Sequence, residues 1–149
     1  MPVPVTGEAE PLAGAETYAQ VQQFYARHMH LLDAGAADEW ARTFTEDGMF
    51  APPSLPEPVR GRAALAAGLR ESAARLARTG EVRRHCVMMI DVRPQSDGSL
   101  RVRSYTQVVA TTPAEGSRLL LMCACHDVLV WQDGQLLVQE RRVTRDDRP

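Results

Sequence analysis

The C-terminal half of the chain restricts its fold most. Four long strand-like runs, at residues 82–92, 100–111, 119–131 and 136–143, follow one another, and Asp97-Gly98 and Asp133-Gly134 stand at two of their three junctions. Asp-Gly between alternating apolar runs is among the strongest short hairpin signals, because the favoured two-residue turn needs positive φ at both central positions. Pro113 to Ser117 supplies a looser third turn. Consecutive hairpins make an antiparallel meander, and a meander this long twists and must bury a face.

The material to cover it lies upstream. Tyr18, Val21, Phe24, Tyr25, Leu31 and Leu32 follow the period of a helix, with His28 on the same stripe and His30 off it. Gly35 is a natural stop. Asp38 can cap a short helix from Glu39 to Phe44 that puts Trp40 and Phe44 on one face. Thr45-Glu46-Asp47-Gly48 reads as a turn and Met49-Phe50-Ala51 as a short strand. Pro52, Pro53, Pro56 and Pro58 then make a stiff loop. Gly61 to Arg78 reads as a third helix, with Leu65, Leu69, Ala73 and Leu76 on one side and Thr79-Gly80 at its end. The expected fold is α+β: a curved antiparallel sheet wrapped as a cone around three N-terminal helices, in a single domain over residues 15–147. Pro2, Pro4, Gly7, Pro11 and Gly14 suggest that residues 1–14 are a flexible tail.

The hairpins allow a register to be worked out. If both Asp-Gly pairs are two-residue turns and Thr112 pairs with Ser117 across the looser turn, His85 pairs with Ala110, Thr106 with Cys123, Ser104 with Cys125, Asp127 with Glu140, and Cys125 with Arg142. Paired residues share a face. One face then carries His85, Ser104, Thr106, Cys123, Cys125, Asp127, Glu140 and Arg142, too polar for a plain core. The other carries Met88, Ile90, Val92, Val109, Leu120, Met122, Val128, Val130 and Leu137, too apolar to meet water. The polar face is expected to line a pocket closed by the helices, and the apolar face to pack on a second copy in a homodimer, with His126 in the interface. A single bulge would move part of either set to the other side.

Composition excludes several classes. A chain of 149 residues with 44% hydrophobic and 24% charged residues has the balance of an ordinary soluble globular domain. The net charge of −2 gives no nucleic-acid footprint, and no apolar run has the roughly 20 residues of a membrane span. Nothing at the N-terminus reads as a signal peptide. Cys86, Cys123 and Cys125 are an odd number of thiols without metal-ligand spacing, which points to reduced cysteines, a cytoplasmic location and no metal. No nucleotide-binding motif is present, so no cofactor is expected.

Leu32-Asp33, the Trp40…Phe44-Thr45-Glu46-Asp47-Gly48 stretch, Gly61-Arg62, Arg84-His85, and Asp133-Gly134 followed by Glu140-Arg141-Arg142-Val143 resemble the SnoaL-like branch of the nuclear transport factor 2-like superfamily. The resemblance covers roughly residues 16 to 147 and implies the cone fold. That superfamily holds scytalone dehydratase, polyketide cyclases, ketosteroid isomerase, limonene epoxide hydrolase, dioxygenase small subunits and non-catalytic binders, so the fold alone does not give a function. His85 and Asp33 match the strand histidine and helix-end aspartate of scytalone dehydratase. That family's second pocket histidine falls near Ala110 to Thr112 and its pocket asparagine near Cys125, which argues against a scytalone-like substrate and leaves an acid–base role for His85.

The resemblance therefore implies a cofactor-independent polyketide-tailoring enzyme of antibiotic biosynthesis. It would be a cyclase, dehydratase or isomerase acting on a small aromatic or quinone-like intermediate, with His85 as the acid–base group and Asp33 orienting it. Tyr25, His28, Trp40, Phe50, Thr106 and Cys125 would shape the substrate pocket, and Asp127 and Arg142 would form a second polar patch there. Plainer readings stand beside these: Asp33 as a helix cap, His85 and His28 as satisfied core residues, Asp127 with Arg142 as a structural ion pair. The functional alternative is a non-catalytic ligand-binding or partner subunit resembling the small subunit of ring-hydroxylating dioxygenases.

Overall fold

The computed structural model describes residues 11–148. Most of the expected tail lies outside these residues; of its described part, Ala13 donates its N–H to Val92 O at 3.1 Å. Helix α1 (Ala15–Asp33) buries Val21, Tyr25, His28 and Met29, the stripe that its sequence period marks. It stops at Gly35, whose φ of +69° suits glycine and whose Cβ, if it had one, would lie 3.0 Å from Ala73 Cβ. Helix α2 (Ala37–Ala41) begins earlier than expected, and Asp38 lies in its first turn, paired to Arg70, instead of capping it. The earlier start buries Ala37, Trp40 and Ala41 together.

Phe44 opens strand β1 (Phe44–Ala51), where a turn at 45–48 was expected. The expected turn is an irregularity inside the strand: the register against the last strand shifts between Phe44 and Met49. Thr45 Oγ1 donates to Asp47 Oδ1 at 3.1 Å there. At Gly48 the backbone folds so tightly that a Cβ would lie 2.9 Å from Phe44 Cβ. The proline loop leads to β2 (Val59–Arg60), and α3 (Arg62–Thr79) buries Leu65, Ala66 and Leu69 before ending on left-handed Gly80. The meander follows as β3 (Val82–Pro94), β4 (Leu100–Thr112), β5 (Gly116–Gln132) and β6 (Gln135–Arg145).

The strands form one six-stranded sheet in the order β2-β1-β6-β5-β4-β3. The meander is antiparallel, but β1 runs parallel to β6, so the curved sheet is mixed instead of antiparallel throughout. The core gathers Val21, Phe44, Leu65, Val92, Val102, Leu129 and Val138 between the helices and the concave face. Among the described residues, no helix is long and apolar enough to cross a membrane.

Four irregularities in the meander decide which side chains face that core. Asp133 and Gly134 both take positive φ, so this hairpin has the expected two-residue turn. At Asp97-Gly98 only Gly98 does, and Asp97 Oδ1 instead accepts the Ser99 N–H at 2.9 Å and hydroxyl at 2.6 Å. The turn is longer, and Pro94 pairs with Leu100. A bulge between Met88 and Asp91, with Met89 at φ 53°, adds a second one-residue shift. The two shifts restore parity beyond the bulge: His85 pairs with Val108, not Ala110, yet stays on the concave side. Between turn and bulge the faces are exchanged, so Ile90 and Val92, expected on the outer face, are core residues. A third shift, between Val128 and Leu129 against β6, pairs Asp127 with Arg141 and Cys125 with Val143. Ser117 pairs with Thr111 and not with Thr112, so the third turn is one residue shorter than expected, and a fourth shift between Val108 and Val109 offsets it: Thr106 pairs with Cys123 and Ser104 with Cys125, as expected.

Candidate active site

Asp33 ends α1 where the helix leaves the sheet, and β3 passes beside it. Asp33 Oδ2 accepts the backbone N–H of His85 at 3.2 Å, while Oδ1 lies 2.6 Å from His85 Nδ1. A carboxylate only accepts, so Nδ1 carries the shared proton and Nε2 is the nitrogen left over. The Asp33 side chain is 6% exposed and that of His85 25%, so the carboxylate is enclosed behind an accessible ring. This arrangement holds one tautomer and one orientation, which is what a proton-transfer histidine requires.

The pair borders two cavities. The outer one, about 630 Å³, lies among α3, the proline loop, Asp33, His85, Trp40 and Phe50. The inner one, about 170 Å³, is lined by Met29, Val108, Leu121, Cys123, Cys125, Arg141 and Val143, with Thr106. His85, Leu32, Trp40, Phe50, Pro53 and Leu121 border both, so the histidine stands at the neck between them. The Trp40 and Phe50 rings meet edge-on with centroids 6.4 Å apart. In the inner cavity Thr106 Oγ1 and Cys125 Sγ share a hydrogen bond of 3.3 Å. Burial pushes the Cys125 thiol up and the Cys123 thiol up to about 11, so both are protonated at neutral pH and neither is poised as a nucleophile. Among the described residues no three His, Cys, Asp or Glu side chains converge on a metal position.

Tyr25, His28 and Asp127 line neither cavity. They lie behind the inner wall in a buried network centred on Arg141. Arg141 Nε and Nη2 donate to Asp127 Oδ1 and Oδ2 at 3.0 and 2.8 Å, and the Tyr25 hydroxyl donates to Asp127 Oδ2 at 2.6 Å. Arg141 Nη1 lies 2.7 Å from His28 Nε2. A guanidinium only donates, so Nε2 accepts, and His28 Nδ1 donates to Thr43 Oγ1 at 2.6 Å. Thr43 in turn donates to Trp40 O. Burial and the neighbouring Arg141 charge hold His28 well below its usual pKa, so it is neutral. Burial and Asp127 raise the Tyr25 phenol well above its usual range. Burial opposes the Arg141 charge, but the Asp127 carboxylate outweighs it and raises the guanidinium's pKa.

Arg142 was expected in the pocket, and the structure corrects its position. The shift in β6 turns it to the outer face, where its side chain is 58% exposed and pairs with Glu140. Arg141 takes the interior place. Two adjacent arginines on a strand must point to opposite sides, so the sequence did require one to face inward and left open which. Thr43, which ends the hydrogen-bond chain, carried no such signal.

Residues 13–142 match the SnoaL-like domain. No curated protein matches the chain. Aln2 from a Streptomyces species is 31% identical, over 92% of this chain and 96% of that one, with a TM-score of 0.84. ActVI-ORFA from Streptomyces coelicolor is 34% identical, over 89% and 97%, with a TM-score of 0.81. A protein from Catenulispora acidiphila, solved in complex with S-DNPA, is 37% identical, over 90% and 96%, with a TM-score of 0.80. With a family match over most of its length, and relatives above 30% identity that share its fold almost end to end, the chain belongs to the SnoaL-like family.

Proposed function

We propose that this protein is a cofactor-independent enzyme that cyclises, dehydrates or isomerises a small aromatic, polyketide-like intermediate by proton transfer at His85. The observation that carries the reading is the Asp33–His85 contact at the neck of a two-part cavity. Support comes from the family, which includes polyketide cyclases and dehydratases, and from the Catenulispora relative, which was solved in complex with S-DNPA. His85 Nε2 takes a proton from the bound intermediate, Asp33 steadies the resulting imidazolium, and the same nitrogen returns the proton at another atom. The narrow, mostly apolar inner cavity adds to this by holding one conformer of the bound intermediate. The three free thiols favour the cytoplasm as the compartment.

The test is turnover of the intermediate that accumulates in a strain lacking the gene. His85→Ala lowers the rate by about 10²–10⁴-fold with the fold intact. Asp33→Asn lowers it less, because it disturbs the tautomer and leaves the base in place. Near-full activity of His85→Ala rules out this centre. No turnover by the unmodified protein, with ligand binding retained, makes it a binder.

We also propose a homodimer through the outer face of the meander, where Tyr105 and Leu119 are more than half exposed beside Met88, Val109 and Met122. Light scattering at micromolar concentration is expected to give twice the chain mass; a monomer overturns this.

A further inference from the structure

The inner cavity is almost apolar and yet has one permanently charged group in its wall. A cavity of about 150 Å³ accepts a benzene ring, so the 170 Å³ inner chamber takes a single ring and leaves the rest of a larger molecule to the outer cavity. Few of its polar groups are free to meet such a ring. Thr106 and Cys125 share one hydrogen bond and are both neutral. His85 stands at the neck. Cys123 offers only a weak, neutral thiol donor, which leaves Arg141 as the one charged donor among the described lining residues, and it borders the inner chamber only.

The donors of Arg141 can be counted. A guanidinium has five N–H groups. Three have protein acceptors: two on Asp127 and one on His28 Nε2. One N–H on each terminal nitrogen remains, and the side chain keeps 4% exposure in a residue that lines the chamber. The guanidinium cannot turn away, because Asp127 grips one edge and the His28–Thr43–Trp40 chain holds the other. Asp127 also takes the Tyr25 hydroxyl, so its charge is shared among three donors and does not cancel the free edge of the arginine.

We propose that Arg141 binds an oxygen of the ring that enters the inner chamber, and that the protein thereby selects rings bearing a carbonyl or phenolate. The assignment rests on the proton-transfer reading for its role in turnover, but not for binding. In turnover, His85 Nε2 removes the proton from the carbon beside the carbonyl. The C–H electron pair becomes a C=C bond, the C=O pair moves onto oxygen, and Arg141 holds the enolate until the imidazolium returns the proton. Nothing is oxidised or reduced.

Binding of 4-nitrophenolate and of nitrobenzene, followed by quenching of protein fluorescence, tests this without any turnover. A hydrogen bond to a charged group is worth about 1.5–3 kcal/mol, so the phenolate is expected to bind about tenfold to a hundredfold more tightly. Asp127→Asn combined with Arg141→Gln removes both buried charges together, leaving no lone ion. This variant, folded by circular dichroism and still binding nitrobenzene, is expected to lose the preference; His85→Ala is expected to keep it. Equal binding by the unmodified protein, a preference that survives the double variant, or one that vanishes in His85→Ala overturns the assignment. If the double variant does not fold, the ionisation of bound 4-nitrophenol decides. It must occur at lower pH than in free phenol, both in the unmodified protein and in His85→Ala, and an unshifted titration overturns the proposal. Loss of all turnover with the phenolate preference intact would sink the proton-transfer reading and leave this one standing.

Discussion

Two polar clusters lie on the concave side of the sheet, and they differ in what each leaves unpaired. Asp33 and His85 make one contact at the neck, and a ring nitrogen is left free beside the cavities. Tyr25, Asp127, Arg141, His28 and Thr43 form a connected, buried network in which each side chain meets at least one partner, and only the remaining N–H groups of Arg141 face the inner cavity. A group that exchanges protons with a substrate needs one partner to orient it and one open site. A group that must hold its charge and position needs the opposite: several partners and no freedom. The same chemical ingredients, a carboxylate and a histidine, serve differently because one histidine sits at an opening and the other behind a wall.

The comparison can be broken by stability measurements. Arg141→Met leaves Asp127 buried without its counter-charge, and loss of one partner of a buried ion pair costs about 3–5 kcal/mol; urea unfolding should show this. His85→Ala leaves Asp33 with the backbone N–H of residue 85 and some access to water, so its expected cost is smaller, about 1–3 kcal/mol, while its effect on turnover is the larger. A reversed order in stability would mean that the neck pair, and not the buried network, is the structural one.

A finer distinction comes from pH. His28 stays neutral in the fold because burial and Arg141 depress its pKa, whereas an unfolded histidine takes a proton below about pH 6.5. The unfolded chain then binds more protons than the folded one, so stability falls as pH drops through that value. The slope attributable to one such group is at most about 1.4 kcal/mol per pH unit. His28→Gln is expected to remove this part of the slope between about pH 5 and 6.5, above the range where ordinary carboxylates protonate. Contributions of the other histidines cancel in the difference between the two proteins. An unchanged slope would mean that His28 is protonated in the fold and that its tautomer chain is wrong.

Much of the architecture was readable from local pattern. Helices α1 and α3 show their period, and Gly35 and Gly80 mark their ends. The four meander strands were legible from their alternating runs, and the Asp133-Gly134 hairpin from its turn residues. Asp33 and His85 were legible as a pair through the resemblance, because they match the helix-end aspartate and strand histidine of scytalone dehydratase, and the structure brings them into contact. Two departures fall where packing overrode a local signal. Asp38 has the chemistry of a cap but pairs with Arg70 across to α3. Thr45 to Gly48 has the composition of a turn, but it became the irregular part of β1 because Phe44 is drawn wholly into the core.

Helix period, turn chemistry and the order of elements are properties of neighbouring residues, and the sequence by itself determined them. The facing of strand residues is not such a property. Side chains alternate along a strand, so one inserted residue exchanges the two faces beyond it. The shift at Met89 allows His85 to look into the cavity while Ile90 and Val92 pack in the core, and the shift in β6 puts Arg141 beside Asp127 and sends Arg142 to solvent. Where a bulge falls depends on the joint packing of helices, core and neighbouring strands, which no short stretch of sequence contains. The tertiary structure alone therefore decided which arginine the inner chamber has.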